Sequence, residues 1–237
     1  MIYSKKKSQG FSLVELAIVM VILGFLIGGL LKPLGRQIQA SQMMATHKAL
    51  DEYKTALLGF ALMNGRLPCP DVDGDGLEDK VTGGANCPAI ECQASGGEPA
   101  WATLGASRED AWGQAFIYHV SDRFAYDSLT CADPCADPCA TTPSTNVAFQ
   151  LCSRGTIQVS EGNDGIYNDT TKVAIDLPVI ILSKGLNRGT NMPDENENMD
   201  GDTQFVKRKF NEVPAQALND LVVWISTPVL ISEWFTK

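Results

Sequence analysis

The sequence predicts an α+β fold in which one long N-terminal helix precedes a head of short strands. Three observations carry that reading. From Phe11 to Leu31 every residue except Glu15 is apolar, small or hydroxylic. Apolar residues then recur at helical spacing as far as Ala61, through Met43, Leu50, Tyr53, Leu57 and Phe60. Beyond Asn64-Gly65 the apolar runs shorten and alternate with Gly, Pro, Asn and Asp. With 237 residues, 44% hydrophobic and 20% charged, the chain suits one large domain or two small ones, and neither wholesale disorder nor a collagen-like repeat.

Taken in order, residues 1–10 form a short leader with Lys5, Lys6 and Lys7 ahead of the apolar run. Residues 11–31, at ~1.5 Å each, span roughly 32 Å of helix, enough to cross a bilayer. No small-x-small cleavage site interrupts the run, as a secretory signal would require, so the segment is expected to remain as a membrane helix. Lysines before it place the short end in the cytoplasm and the head outside the inner membrane. Pro33 loosens the helix without ending it, because the apolar stripe resumes in the amphipathic stretch 32–64. One helix is therefore predicted from about residue 12 to residue 63, stopped by Asn64-Gly65 and by Pro68 and Pro70.

Residues 65–237 make the head. After a loop-rich stretch over 65–110, strand-like runs are predicted at Ala115–Val120, Val147–Leu151, Thr156–Val159, Val173–Leu182 and Leu221–Ile225. A short closing helix follows Thr227, with Pro228 in its first turn.

Glu15 is the anomaly of the membrane segment. An ionisable residue within hydrocarbon costs on the order of 2.5–3.5 kcal/mol and asks for a partner or for access to the head groups. The string KKKSQG followed by FSLVELAIVMVILGFLIGG resembles the leader and first helix of type IV prepilins and type II secretion pseudopilins. That resemblance implies cleavage by prepilin peptidase between Gly10 and Phe11, methylation of Phe11, and a pairing of Glu15 with the N-terminal amine of a neighbouring subunit during assembly. It also implies a pilin-like head, with the outer half of the helix packed on an antiparallel sheet. Two further stretches are similar to pseudopilin patterns. DAWGQAFIYHV, residues 110–120, has Ala111 and Ala115 where prolines are common, and SKGLNRG, residues 183–189, has Asn187 and Arg188 in place of Asp-Gly. These departures, with the extra Cys-rich and acidic loops, point to a specialised or minor subunit.

The head offers metal candidates. In DVDGDGLED, Asp71, Asp73 and Asp75 alternate, Gly76 permits a sharp turn, Leu77 offers a carbonyl and Asp79 follows, the first nine positions of an EF-hand-like calcium loop. Thr82 stands where the bidentate Glu belongs, and a solvated acidic turn is the alternative. A weaker second candidate is DENENMDGD, where Asn196, Asn198, Asp200 and Asp202 are the proposed ligands. Its place after SKGLNRG resembles that of the pseudopilin calcium loop.

Seven cysteines, Cys69, Cys87, Cys92, Cys131, Cys135, Cys139 and Cys152, lie outside the membrane helix in an oxidising setting, so long disulfide-rich loops are expected. Cys69 with Cys87 or with Cys92 would staple the first acidic loop, and the odd count leaves one thiol over. The Cys-x3-Cys-x3-Cys spacing lacks the paired knuckles of a zinc site. A net charge of −9 disfavours nucleic acid, and with only His47 and His119 and no phosphate loop or nucleophile elbow the chain does not read as an enzyme.

The sequence thus points to a filament subunit whose partners are prepilin peptidase, other pilin or pseudopilin subunits, an inner-membrane assembly platform and membrane lipid, in a periplasmic or cell-surface filament. The rival reading is a single-span periplasmic calcium-binding or adhesion protein that does not polymerise.

Overall fold

The computed structural model describes residues 12–82, 90–125, 153–161, 171–186, 193–208 and 220–235. The chain forms two compact units, residues 1–42 and 43–237. Helix α1, Leu13–Asn64, runs through both, within one residue of its predicted ends.

In the first unit, every described side chain from Ser12 to Leu26 is exposed. Among the described residues no helix is long and apolar enough to cross a membrane. The membrane helix expected over 11–31 is therefore not met by the described part of α1.

In the second unit the outer half of α1 buries one stripe. Leu50, Tyr53, Leu57 and Ala61, spaced three and four apart, are at most 1% exposed, while Lys48, Asp51, Glu52 and Thr55 on the other face meet solvent. Each fully buried leucine contributes roughly 1.5–3 kcal/mol. The helix stops as Asn64-Gly65 predicts: Gly65 turns left-handed at φ 70° and donates its N–H to the Ala61 carbonyl at 2.8 Å.

The buried stripe packs on an antiparallel four-stranded sheet ordered β3-β4-β7-β9, from β3 (Gly96–Gly97), β4 (Ile117–Val120), β7 (Val179–Ser183) and β9 (Leu221–Ile225). Tyr53 meets Phe116 edge-on at 5.2 Å, within a core that also holds Tyr118, Val179, Ile181, Leu230 and Ile231. A second core, with Ile157, Val159, Leu177, Ile180 and Phe205, lies under a three-stranded sheet ordered β6-β5-β8, from β5 (Ile157–Ser160), β6 (Lys172–Leu177) and β8 (Gln204–Val206). β1 (Lys80–Thr82) and β2 (Ile90–Cys92) form a separate hairpin. Short helices α2 (Trp101–Leu104), α3 (Pro193–Glu197) and α4 (Thr227–Phe235) complete the described elements; α4 begins with Thr227-Pro228, as expected.

The described residues refine the sequence reading at three points. The single run predicted over 173–182 is two strands in two sheets, parted at Pro178, which has no N–H for a ladder; Asp176 before it takes φ 56°. Ser121 holds that corner by donating its hydroxyl to the Leu177 carbonyl and its N–H to the Pro178 carbonyl, both at 2.8 Å. The sheets are not wholly antiparallel, since β5 and β8 pair in parallel. Of the expected disulfide-rich loops the described residues hold one bond, Cys69–Cys92; Cys87, Cys131, Cys135, Cys139 and Cys152, with the predicted strand at 147–151, lie outside them.

Candidate functional site

Gly10 and Phe11 lie outside the described residues, and Glu15 sits in the first turn of α1. Its Oε2 accepts the Ser12 N–H at 3.2 Å, while the Ser12 Oγ accepts the Val14 N–H at 3.3 Å. This is a reciprocal cap: Ser12 and Glu15, three apart, each satisfy a backbone donor that the helix end leaves open. The Ser-x-x-Glu signature was present in the sequence but masked by the question of how a charge survives in hydrocarbon. Around it Leu13, Val14, Ala17, Ile18, Val21 and Ile22 form an exposed apolar strip on one side of α1.

The first acidic loop is built from both of its ends. The Asp79 N–H bonds the Pro70 carbonyl at 3.1 Å, and the Cys69–Cys92 disulfide, 23 residues in span, ties the loop's start to β2. Of the two pairings open in the sequence, the one with Cys92 forms. Glu78 pairs bidentately with the buried Arg66 at 2.6 and 3.0 Å, reaches Lys80 at 2.8 Å and accepts the Cys69 N–H at 2.9 Å. Burial alone would raise its carboxyl, but Arg66, Lys80 and that N–H hold it below the ordinary carboxylate value.

Within this frame Asp71, Asp73 and Asp79 bring carboxylate oxygens within 4.8 Å of one another. Asp71 is 1% exposed and accepts the N–H groups of Gly74 and Gly76 at 2.6 and 2.7 Å. Gly76 stands at φ 87°, and a Cβ there would meet Trp101 at 2.6 Å, so the turn needs glycine twice over. Asp75 is outside the trio; its carboxylate accepts the Leu77 N–H at 2.8 Å. Hard oxygen donors on a glycine turn fit calcium chemistry, with Asp71, Asp73 and Asp79 as the residues that would hold the ion.

The second acidic stretch is arranged differently from the expected ligand set. The carboxylates that converge are Glu197, Asp200 and Asp202. Asn198 turns inward instead: it is 1% exposed, accepts the Val206 N–H at 2.7 Å and donates to the Val206 carbonyl at 3.1 Å and to Asp220 at 2.8 Å. It thus clamps β8 and is spent as a surface ligand, and Asn196 is exposed. Glu197 escaped the sequence reading, although its spacing of three from Asp200 marked it. Burial, then Asp200, Asp202 and Asp194, raise the Glu197 carboxyl, and burial also raises Asp202.

The two pseudopilin-like stretches of the sequence meet in one place. Asp110 accepts the N–H groups of Trp112 and Gln114, each at 2.9 Å, and the Ser183 hydroxyl at 2.5 Å; Ser183 in turn accepts the Gly185 N–H at 3.1 Å. The Ala111 N–H reaches Thr46 of α1 at 3.2 Å, so this junction also seats the helix. Asn187 and Arg188 lie outside the described residues. His47 is exposed. His119 is buried edge-on against Phe205 at 5.0 Å, and burial pushes it down to about 4, the environment of a packing residue.

Comparison with known proteins adds one finding to this geometry. The family described as the prokaryotic N-terminal methylation motif matches residues 5–31, from the lysines ahead of the apolar run into the apolar N-terminal part of α1. No curated protein and no solved structure matches the chain.

Proposed function

We propose, from the type IV prepilin and pseudopilin signal that the chain carries at residues 5–31, that it is a structural subunit of a type IV pilus or type II secretion filament. Prepilin peptidase cuts between Gly10 and Phe11, Phe11 is methylated, and the subunit passes from the inner membrane, through an assembly platform, into a periplasmic or cell-surface filament. The observation that carries this reading is the coincidence of the motif with an apolar helix that exposes its described side chains around a single carboxylate, Glu15. Such a sleeve needs lipid before assembly and sister helices after it. Glu15 then exchanges the Ser12 N–H for the amine of a neighbouring chain. At ~4 Å and an effective dielectric near 20 that pair gains about 4 kcal/mol, enough to offset the insertion cost and to set the stagger between helices.

In the head, calcium at Asp71, Asp73 and Asp79, with a weaker site at Glu197, Asp200 and Asp202, stiffens loops exposed to shear and proteases. Mass analysis of the mature N-terminus, combined with localisation in sheared surface fractions, tests the reading. It is upheld by a methylated chain starting at Phe11 and recovered in filaments, and sunk by a chain that keeps residues 1–10 in cells with active peptidase. Glu15→Ala should insert normally and fail to assemble; a normal filament yield would remove the role given to that carboxylate.

A further inference from the structure

Three Asp-Gly pairs lie among the described residues: Asp73-Gly74 and Asp75-Gly76 in the first acidic loop and Asp200-Gly201 in the second. Their local geometry is nearly the same. The three glycines stand at φ 85°, 87° and 86°, the left-handed region that glycine enters freely. Each aspartate accepts the N–H two residues on: Asp73 from Asp75 at 3.1 Å, Asp75 from Leu77 at 2.8 Å and Asp200 from Asp202 at 3.0 Å, an Asx turn in every case.

What differs is the glycine amide. Gly74 and Gly76 both donate to the buried Asp71 carboxylate, at 2.6 and 2.7 Å. Gly201 is exposed, donates its N–H to no group among the described residues, and has open space where a Cβ would stand. Asn64-Gly65 is a different electrophile, and its Gly65 N–H is likewise held, by the Ala61 carbonyl at 2.8 Å.

That glycine nitrogen is the nucleophile in the rearrangement of Asp-Gly. It attacks the aspartyl Cγ; a C–N bond forms, a C–O bond breaks, and one carboxyl oxygen leaves as water with the amide proton and the acid proton. The cyclic imide then takes up water. Opening at the α-carbonyl gives isoaspartate, with the chain running through Cγ, and opening at Cγ restores aspartate. No oxidant or cofactor enters. A carboxylate bonded to the amide opposes the attack twice, because the N–H must first be released and because negative charge developing on the nitrogen is repelled. Releasing an N–H from a carboxylate lowers the reactive population about ten- to a hundredfold.

We infer that Asp200, alone of these three aspartates, converts to isoaspartate, and that Asp71 protects Asp73 and Asp75 by holding the amides of Gly74 and Gly76. Conversion threads Cβ and Cγ of Asp200 into the backbone and leaves a shorter side chain. Its carboxylate then leaves the place where it converges with Glu197 and Asp202. The second loop thus has a chemical lifetime that the first does not share.

The test incubates the full chain in detergent with chelator, at neutral pH in oxygen-18 water, so that each imide opening marks its peptide with heavy oxygen; electron-transfer fragmentation then locates isoaspartate. Trypsin cuts at Arg66, Lys80, Arg188 and Lys207, which puts the two loops on separate peptides; Asp164-Gly165, outside the described residues, falls on a third. Asp200 should convert at least about tenfold faster than Asp73 or Asp75 in the folded chain, and in urea the three rates should draw together. Asp71→Ala should raise Asp73 and Asp75 about tenfold. Asp71→Asn, which keeps the shape and one acceptor oxygen, should free one of the two glycines and serves if Asp71→Ala unsettles the loop. Asp200→Glu should silence its own peptide. Equal rates in the folded chain, a difference that persists in urea, or Asp71 variants with no faster first loop would overturn the inference. So would an Asp200 that stays aspartate while the chain in urea converts. None of these readouts depends on leader cleavage or on filament assembly.

Discussion

The two acidic loops of the head place similar carboxylates on opposite kinds of support. Around Asp71 the chain is closed by a disulfide, by a buried guanidinium pair and by left-handed glycines, and every described carboxylate from Asp71 to Asp79 accepts at least one hydrogen bond. Around Asp200 the inward amide of Asn198 is joined by two local bonds, the Asp202 N–H to the Asp200 carboxylate at 3.0 Å and the Gln204 N–H to the Asp202 carboxylate at 2.6 Å, while burial first and then mutual repulsion raise Glu197 and Asp202. The first loop is held before any cation arrives. The second is held less firmly, and a cation there would act against the repulsion among Glu197, Asp200 and Asp202.

The largest effect expected is at Arg66. Arg66→Met leaves Glu78, with a side chain 9% exposed, with only Lys80 and the Cys69 N–H, and losing one partner of a buried pair costs on the order of 3 kcal/mol. Glu78 has a depressed folded value, so its contribution is present above the ordinary 4.5 and lost as the pH falls through the lower folded value. Urea unfolding at pH 7 and at pH 3 should show a variant penalty that is large at neutrality and shrinks in acid. Equal penalties at both would mean that Arg66 acts by packing alone. Replacing Cys69 and Cys92 by Ala should cost about as much, near 3 kcal/mol in the chain-entropy account for a ring of this length, and should open the first loop to proteolysis while sparing the second.

Next is the second loop. Asn198→Ala removes bonds to both Val206 backbone groups and to Asp220, about 2 kcal/mol for buried groups left without partners, and amide exchange should quicken in β8 ahead of β4. Asp220 reverses the pH response of Glu78. Burial first, then Glu195 and Asp194, push it up to about 7 against Asn198 and Lys184, which lower it. Its folded form therefore binds a proton that the unfolded chain releases, and the stability this contributes is complete below the ordinary 3.8 and is lost as the pH rises to about 7. Asp220→Asn should flatten that slope, at most about 1.4 kcal/mol per pH unit; an unchanged slope would place the proton elsewhere.

How far this contrast was legible in the sequence depended on what each residue had to reveal it. α1 announced itself through the stripe at Leu50, Tyr53 and Leu57, and β9 through an uninterrupted apolar run bounded by polar residues. Asp71 to Asp79 were readable because alternating Asp around Gly is a local pattern with a local cause. Asn198 was not, because its partners, Val206 and Asp220, come from other elements, and a polar residue among polar neighbours gives no sign of turning inward. The same blindness hid β8 and α3 inside a stretch that reads as loop. Pro178 was visible, but two apolar strands in tandem carry no periodicity that marks where the chain changes sheets.

Cation removal sharpens the contrast further. With calcium at a hundredfold excess over its dissociation constant, a bound site adds about 2.7 kcal/mol to the folded state, and chelation should lower the melting temperature accordingly. Asp73→Asn should remove most of that shift if the first loop is the tight site, and Asp200→Asn should remove the remainder. A shift abolished by Asp200→Asn alone would invert the ranking and make repulsion at the second loop the dominant source of cation affinity. No shift in either variant or in the parent chain would leave the first loop as a turn stabilised entirely by its own hydrogen bonds.

The smallest effect is a control on the frame that both loops share. Lys48 and Glu52 approach to 3.5 Å one turn apart on the exposed face of α1, with side chains 79% and 62% exposed. Such pairs contribute about 0.3–0.5 kcal/mol and are screened by salt. Lys48→Ala should leave unfolding midpoints within error of the parent, at pH 7 and in acid, and should leave both loops equally protected from protease. A larger penalty, or one that falls on a single loop, would mean that the solvent face of the helix reaches the loops by a route other than the buried stripe at Leu50, Tyr53 and Leu57. The separate accounts of Arg66 and Asn198 would then have to be rewritten as one.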